Sequence, residues 1–408
     1  MTRTELFPEI SARVEELYKC VNCGLCQAVC PTYLERGYEG LTARGKIMLM
    51  RGMLEGSVEP TASVANLFDN CLTCYACQTV CPAGVKTERL WAAARQDLSG
   101  RSWRSGLKRV GLGWSIGKPA LFERELRVAA WAKRRLGAEL YGMSGEAPYV
   151  SRLEQEYPAH RSEIGSVALL AGCSSNIFAP WVLDATIHSL RAAGYRVIVP
   201  KEQVCCGAPA INNGAWEIAR KLAIRNLELF SNLKADHITS PDGTCANALR
   251  LDYIELFQGQ DDHLRDAKAV SGKVRDLSVL LNWSREKGVL KFRKMAQSVT
   301  LHDSCHVTHV GGGNRWRALL ETVEGLELVE MKNSQLCCGF GGSYNAFHKR
   351  GSEAIARSKI ENASATGANT VLVGSPGCVL RLHSALKNLN TPDMEVRHAV
   401  EIIAEAAV

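Results

Sequence analysis

Cysteines are the residues of this chain whose type and spacing point most directly to chemistry, and the 408 residues include sixteen of them. Eight form two runs with the same spacing, C-x2-C-x2-C-x3-C, each followed by proline. The runs are Cys20, Cys23, Cys26, Cys30 and Cys71, Cys74, Cys77, Cys81. Three closely spaced thiolates bind three corners of a cubane cluster, and the fourth cysteine, before the proline, binds the other cluster. The spacing therefore predicts two [4Fe–4S] clusters.

The expected ligand sets cross over between the runs, because the fourth cysteine of each run points away from its own cluster. The predicted sets are Cys20, Cys23, Cys26 and Cys81 for cluster 1, and Cys71, Cys74, Cys77 and Cys30 for cluster 2. Zinc is the main alternative, since all-cysteine zinc sites also contain C-x2-C pairs. The doubled spacing with its two prolines argues against zinc and against free structural thiols.

The other eight cysteines form a second repeat, in which each member of the later half follows its counterpart by 132 or 133 residues. They are candidate ligands for further clusters: Cys173, Cys205, Cys206, Cys245, Cys305, Cys337, Cys338 and Cys378. Adjacent cysteines rarely form a relaxed disulfide with each other, so both members of a pair could bind one polynuclear cluster. The alternative, reduced thiols at strand ends without metal, stays open.

Three histidines, His302, His306 and His309, flank Cys305. An imidazole ligand raises the potential of a cluster, as in Rieske centres. We nevertheless favour the plainer interpretation that these histidines cap or line a loop, and we interpret Asp242, a candidate oxygen ligand, in the same way. The glycine runs at 311–313 and 339–342 do not match the dinucleotide-binding fingerprint, so we expect tight turns there.

The cysteines need elements to position them, and the hydrophobic pattern predicts these elements. Helices are expected at residues 41–54 and 87–98, beside the two cysteine runs. From residue 161 onward, short apolar strands alternate with helices, and a cysteine follows most strands. This alternation predicts mainly parallel sheets, whose strand ends gather at the edge where α/β folds bind ligands. The predicted fold class is a multidomain α+β and α/β chain, with a helical two-cluster ferredoxin-type domain followed by two repeated α/β modules.

The same pattern divides the chain into four segments. They are a two-cluster domain at 1–100, a basic helical linker at 101–160, a first cysteine-rich module at 161–260, and a helical bridge with the second module at 261–408. The formal net charge is +7, and residues 101–135 alone contain ten Lys or Arg against two acidic residues. The plainer interpretation of the linker is a solvated helix packed on the next domain. The alternative is a docking surface for a partner protein or an anionic membrane.

Composition excludes several classes of protein. Hydrophobic residues make up 46% and charged residues 22% of the chain, which is typical of a folded protein and not of a disordered one. No run approaches the roughly 18 apolar residues of a transmembrane helix. The first residues lack the apolar segment of a secretion signal, so we expect a cytoplasmic protein with reduced cysteines. We find no motif for binding flavin, nicotinamide or nucleic acid.

Several short segments carry a resemblance to a known family: residues 30–33 (CPTY), 44–47 (RGKI), 71–74 (CLTC), 205–207 and 337–339 (both CCG), and 396–398 (VRH). With these segments, the whole chain resembles the iron–sulfur subunit family of glycolate oxidase (glycolate dehydrogenase). The later modules resemble the CCG cysteine-rich domain of heterodisulfide reductases, and lactate-utilisation proteins and the iron–sulfur component of anaerobic glycerol-3-phosphate dehydrogenase share both kinds of module.

The resemblance implies an electron-transfer subunit of a multi-subunit oxidoreductase. An FAD-bearing partner would oxidise glycolate to glyoxylate, and this chain would pass the electrons to a quinone or similar acceptor. Two [4Fe–4S] clusters are expected, with one or two further clusters in the CCG modules and no flavin or nicotinamide on this chain. The expected location is cytoplasmic, with peripheral contact to the inner face of the cell membrane through the basic linker.

Three alternatives stay open: the same role for lactate or glycerol 3-phosphate, a heterodisulfide reductase-like catalytic subunit, and an iron–sulfur sensor or interaction module. The catalytic alternative is weakened by one departure from its family. Heterodisulfide reductase has a late C-x-x-C element in each module, whereas this chain has Asp242 and Ser375 in place of the first cysteine. Each module therefore offers four thiols instead of five.

Overall fold

The computed structural model describes residues 2–136, 147–310, 315–389 and 393–408. Residues 137–146 of the predicted linker and the predicted turn at 311–313 lie outside these ranges. Among the described residues, no helix combines the length and the hydrophobicity needed to cross a bilayer.

The N-terminal domain consists of short helices around the two cysteine runs. They are α1 (Arg3–Leu6), α2 (Pro8–Ser11), α3 (Val14–Tyr18), α4 (Pro31–Arg36), α5 (Ala43–Glu55), α6 (Ala62–Asp69), α7 (Ala76–Thr79) and α8 (Thr87–Asp97), with 3-10 turns at Leu25–Gln27 and Glu39–Leu41. The helices α5 and α8 lie where the sequence predicts them. Thr42 begins α5 by accepting a hydrogen bond from the backbone of Gly45, and Gly56 ends it in a left-handed conformation.

The basic linker forms two helices within its described residues, α9 (Trp103–Trp114) and α10 (Pro119–Leu136). A proline at the first position of α10 explains why one long helix does not form. Lys108 on the inner side of α9 is buried in an ion pair of 3.3 Å with Asp69 of the N-terminal domain. Leu126 and Ala130 of α10 pack against Ile177 of the following module. The linker is thus packed against domains on both sides.

The rest of the chain forms two α/β modules. Their strands are β1 (Glu156–Tyr157), β2 (Gly165–Leu169), β3 (Tyr195–Ile198), β4 (His237–Thr239), β5 (Gln297–His302), β6 (Leu326–Leu328), β7 (Thr370–Val373) and β8 (Glu395–His398). The sheet orders are β1-β3-β2-β4 and β6-β5-β7-β8. All strand pairs are parallel except β1 with β3. This confirms the predicted fold class, and β1 shows that the first sheet includes residues from the segment predicted as linker.

Helices cover both sheets. They are α11 (Gly172–Ile177), α12 (Pro180–Ala192), α13 (Ala208–Ile211), α14 (Trp216–Asn232), α15 (Gly243–Asn247), α16 (Tyr253–Leu256), α17 (Asp261–Lys273), α18 (Leu277–Glu286), α19 (Trp316–Leu320), α20 (Ser343–Phe347), α21 (Lys349–Ser364), α22 (Pro376–Leu389) and α23 (Ala399–Ala406), with π-helical turns at Ala248–Asp252 and His306–Val310.

The two modules share one hydrophobic core by exchanging helices. Helix α12 of the first module packs against α23, which follows the last strand of the second module. Helix α18, in the bridge between the modules, packs against α12 of the first module and α19 of the second. Because each module completes the core of the other, the cysteine-bearing strand ends of the two modules are held at fixed positions relative to each other.

Candidate iron–sulfur sites

The first thiol group lies in the N-terminal domain. Cys20, Cys23, Cys26 and Cys81 line one cavity, and Cys77 lines it as well. The backbone N–H of Val85 donates to Sγ of Cys81 at 3.5 Å. The Arg51 guanidinium donates to the Cys20 carbonyl at 2.9 Å and so fixes the start of the first run.

The second thiol group lies beside the first. Cys30, Cys71, Cys74 and Cys77 line an adjacent cavity. Backbone and hydroxyl groups surround these sulfurs: the Thr73 N–H lies 3.4 Å from Sγ of Cys71, and Thr87 Oγ1 lies 3.5 Å from Sγ of Cys77. The members of each predicted set line one cavity together, and Cys77 lines both cavities. Soft thiolates converging on a cavity suit an iron–sulfur cluster. The assignment of each cysteine as a ligand stays a prediction.

Both runs turn sharply at matching positions. Asn22 and Gly24 have φ angles of 58° and 85°, and Thr73 and Tyr75, at the equivalent positions of the second run, have 52° and 60°. Left-handed conformations are unfavourable for Thr and Tyr, and cost about 1–3 kcal/mol each. Strain repeated at equivalent positions indicates that the thiol geometry, and not the local residue preference, sets the loop conformation.

A buried lysine, Lys46, lines the second cavity, and the thiols of Cys71 and Cys30 are near enough to act on its charge. Burial lowers the pKa of Lys46, while the charge of the nearby sulfurs opposes this effect. Its ammonium donates to the Leu41 carbonyl. In the sequence this lysine belongs to the RGKI motif, and its burial beside the thiols makes it a candidate functional residue.

Replacing Lys46 with methionine is expected to lower the reduction potential of the second cluster and leave the first unchanged. The physical reason is that a buried cation stabilises the more negative, reduced state of a cluster. An anaerobic redox titration followed by EPR measures both potentials. The exposed Lys221→Met variant is the control, and equal potentials in the two variants would exclude a role for the buried charge.

The first CCG module gathers its four thiols at the ends of its strands. Cys173, Cys205, Cys206 and Cys245 lie in a row in which each thiol is close enough to interact with the next. The interaction with Cys206 lowers the pKa of Cys245 and burial raises it, and the net result is a pKa of about 11. The thiols are therefore protonated at neutral pH without metal, and a cluster must displace their protons as it binds.

Gly172 makes room for this group. It has a φ of +72°, and a Cβ added there would lie 2.9 Å from Sγ of Cys245. We expect Gly172→Ala to displace this thiol and to reduce the iron bound by the first module. Iron analysis after anaerobic purification measures the loss. Gly367→Ala is the matched control, because it has the same left-handed φ, +75°, with no atom within 4 Å of the added Cβ. Iron loss in both variants would point to backbone strain instead.

The second CCG module gathers Cys305, Cys337, Cys338 and Cys378, and Sγ of Cys338 lies 3.1 Å from Sγ of Cys378. His302 lies at this group as well, and burial lowers its pKa to about 3, so its imidazole is neutral.

The second thiol group of the N-terminal domain meets the second CCG module directly. The thiol of Cys74 lies beside that of Cys337, and both belong to a small buried cluster with Leu72 and Tyr344. Two of the flanking histidines hold this junction: Nε2 of His306 donates to the Thr73 carbonyl at 3.0 Å, and Nδ1 of His309 lies 2.7 Å from the Thr79 hydroxyl. They line a loop, as the plainer interpretation proposes.

The two residues that replace the fifth cysteine, one in each module, also contact each other. Oγ of Ser375 lies 3.2 Å from Oδ1 of Asp242, which also accepts from the Thr244 backbone and caps α15. Beside them, Nε2 of His398 contacts the Pro241 carbonyl at 3.0 Å. These residues therefore join the modules between the two thiol groups.

Comparison with known proteins agrees with this organisation. Residues 16–85 match the 4Fe-4S dicluster domain, and residues 167–250 and 299–383 each match the Cysteine-rich domain (CCG). The probable glycolate oxidase iron-sulfur subunit of Bacillus subtilis is 30% identical over 96% of this chain and 94% of its own length. The chain belongs to the family of glycolate oxidase iron–sulfur subunits.

Other proteins are similar to this chain as well. Lactate utilization protein A of Shouchella clausii is 32% identical over 58% of this chain and 98% of its own length. An uncharacterized iron-sulfur protein of Methanococcus maripaludis is 26% identical over 94% of this chain and 70% of its own length. The crystal structure of a hypothetical protein from Helicobacter pylori aligns with 79% of this chain and 72% of its own chain, with 9% identity and a TM-score of 0.44. The chain is an iron–sulfur electron-transfer subunit of an oxidoreductase-type complex related to glycolate oxidase and lactate utilization systems.

Proposed function

We propose that this chain carries electrons from an FAD subunit, where glycolate is oxidised to glyoxylate, to a quinone. The observation that carries the proposal is the arrangement of the thiol groups, which follow one another from the N-terminal domain to the modules. Cys77 lines both N-terminal cavities. Cys74, in the second of these cavities, lies beside Cys337 of the second CCG module. Asp242 of the first CCG module contacts Ser375 of the second. Iron–sulfur clusters accept and donate single electrons, so a row of them can divide the electron pair that a flavin receives from an alcohol.

We assign two [4Fe–4S] clusters to the N-terminal domain, with the crossed-over ligand sets, and one further cluster to each CCG module. Four thiols at each module site supply the soft donors that such a cluster needs. The protein contributes positioning, exclusion of water and hydrogen bonds to sulfur, which tune the reduction potential.

A cavity supports a quinone as the acceptor. It has a volume of about 510 Å³ and extends from α10 to Cys173 and Cys205 of the first module. Phe122, Leu126 and Ile177 contribute an apolar part of its lining, beside polar side chains. Cavities of this kind suit flat, apolar ligands with a few polar atoms. An acceptor bound here would lie next to the last thiol group in the succession.

The outer side of α9 supports contact with a membrane. Leu107, Val110 and Trp114 lie on one side of this helix with exposed fractions of 53%, 66% and 60%, and on α10 Val128 and Trp131 are exposed by 60% and 55%. We call these five residues the outer apolar surface. Together with the excess of basic residues, they suit a helix pair that lies on an anionic bilayer. A quinone dissolved in that bilayer would lie close to the cavity under α10.

The test of function is anaerobic. The native complex is isolated through this chain, glycolate is added, and bleaching of the cluster absorbance is followed, with lactate and glycerol 3-phosphate in parallel. We expect glycolate to bleach the clusters only when a flavoprotein is present, and decylubiquinone to restore the absorbance. Bleaching by lactate alone would keep the electron-transfer role and replace the substrate. Clusters that no substrate reduces would overturn the proposal in favour of a disulfide reductase or a sensor.

The membrane contact has its own test. We expect the triple variant Leu107→Gln, Val110→Gln, Trp114→Gln to weaken binding to vesicles that contain phosphatidylglycerol by at least about tenfold, because each apolar side chain contributes roughly 1.5 kcal/mol or more when buried. Vesicle flotation measures the binding. Trp283→Gln, which changes an exposed tryptophan in a different part of the chain, is the control. Unchanged flotation of the triple variant would remove the outer apolar surface as a membrane contact.

A further inference from the structure

We propose that His302 is a ligand of the metal centre in the second CCG module, where it supplies the fifth donor that the missing cysteine would have provided. The inference rests on the proposed function in one respect: it requires a cluster in this module. It departs from the sequence-based interpretation that His302 lines a loop, as His306 and His309 do.

The first observation is the distance between donors. One ring nitrogen of His302 and the Sγ atoms of Cys338 and Cys378 all lie within 4.8 Å of one another. His302 is the last residue of β5, three residues before Cys305, and its side chain is fully buried. The three donors are close enough to one another to bind the same metal centre.

The second observation is the hydrogen bonding of the ring. Nδ1 of His302 lies 2.9 Å from the Ser334 carbonyl and donates its proton there. Nε2 is then an acceptor, and it is buried without a hydrogen-bond partner among the described residues. A buried polar atom without a partner needs an explanation. Histidines that bind metals have this arrangement, in which the other ring nitrogen donates to a backbone carbonyl and sets the orientation of the ring.

The third observation concerns the position at which the related modules have their fifth cysteine. Ser375 occupies the position of the missing cysteine, and its hydroxyl contacts Asp242 across the junction between the modules. His302 reaches the thiol group from a different strand. The equivalent residue of the first module is Leu170, which is buried and cannot bind metal. The two module centres therefore differ, with imidazole in the second alone.

This difference has a functional consequence. A neutral imidazole in place of a thiolate raises the reduction potential of a cluster. The second module is the one whose Cys337 contacts Cys74 of the N-terminal domain. The cluster of the second module, which lies next to the N-terminal clusters, therefore has the higher reduction potential of the two module clusters. A higher potential favours electron transfer to it from the N-terminal domain.

The test uses the full chain, purified anaerobically from cells grown on 15N-labelled histidine. Pulsed EPR of the reduced protein is expected to show a 15N hyperfine coupling to one cluster. The coupling should disappear in His302→Leu, which copies the first module, and persist in His306→Gln. The labelled wild-type protein alone decides the question even where a variant fails to fold: clusters in both modules and no 15N coupling would overturn the inference.

Iron content separates this inference from the proposed function. Two clusters account for about eight iron atoms per chain and four clusters for about sixteen. A wild-type chain with only eight would show that the modules hold no clusters, which overturns that part of the proposed function and this inference with it. A chain with sixteen iron atoms and no 15N coupling would leave the proposed function intact and overturn only the histidine ligand. Zinc in the second module in place of iron would also overturn the inference.

Discussion

Replacing Cys74 with alanine is expected to stop electron transfer from the N-terminal domain to the CCG modules. The variant loses a predicted ligand of cluster 2, so iron content should fall by about four atoms per chain. Glycolate should no longer bleach the cluster absorbance of the modules, and quinone reduction by the native complex should fall to background. Iron analysis, EPR and the quinone assay measure these three effects.

The size of this effect follows from the position of Cys74. Its thiol is buried beside that of Cys337, so thiol groups of the N-terminal domain and the second module are neighbours at this point. The Cys305 thiol is close enough to be affected by the charge of Cys74. Removing the cluster that Cys74 holds would therefore open a gap between cluster 1 and the second module.

A control separates loss of the cluster from loss of docking. Leu72 packs in the same buried cluster as Cys74, and Leu72→Ala removes apolar contacts there but no thiol. We expect this variant to keep its iron and most of its quinone reduction. If Leu72→Ala and Cys74→Ala reduced electron transfer equally, domain docking and not the cluster would explain the result.

Replacing Arg95 with leucine is expected to lower the free energy of unfolding by about 3 kcal/mol or more, since three backbone carbonyls lose a charged donor and each costs roughly 1–3 kcal/mol. Chemical denaturation of the holoprotein under anaerobic conditions measures the change. The variant should also lose iron from cluster 2 at lower denaturant concentration than the wild type.

Arg95 joins three parts of the structure from helix α8. Its guanidinium donates to the Phe68 carbonyl at 2.7 Å, to the Cys71 carbonyl at 2.6 Å, and to the Asn212 carbonyl of the first CCG module. Only 8% of the residue is exposed, so water cannot replace these bonds. One side chain therefore fixes a predicted ligand of cluster 2 and holds the N-terminal domain on the first module.

Arg89, on the same helix, is the matched control. It forms a 3.1 Å ion pair with Glu255 of the first module, but about half of its side chain is exposed. Exposed ion pairs contribute roughly 0–1 kcal/mol, so Arg89→Leu should change stability little. Equal losses in the two variants would mean that charge at this interface, and not the buried hydrogen bonds, stabilises the docked domain.

Local patterns explain how much of this protein can be predicted from its sequence. Cysteine spacing defines the two thiol groups of the N-terminal domain because most of their members lie within a few residues of one another. Alternating strands and helices predict the parallel sheets, since β2 and β7 are almost entirely buried apolar segments. The hydrophobic pattern does not predict β8, since Arg397 interrupts its apolar residues and pairs with acidic residues such as Glu401.

The amino-acid sequence alone specifies the chemistry that is available: sixteen thiols in repeated groups, a ferredoxin-type domain and two α/β modules. Which of these groups meet depends on the tertiary structure. The contact of Cys74 with Cys337, the pairing of Asp242 with Ser375 and the approach of His302 to Cys338 all join residues far apart in the chain. The spacing of metal-binding cysteines is a short-range property that neighbouring residues determine. The three contacts instead depend on how the helices pack between the modules and on how the domains dock, and no local sequence pattern encodes either.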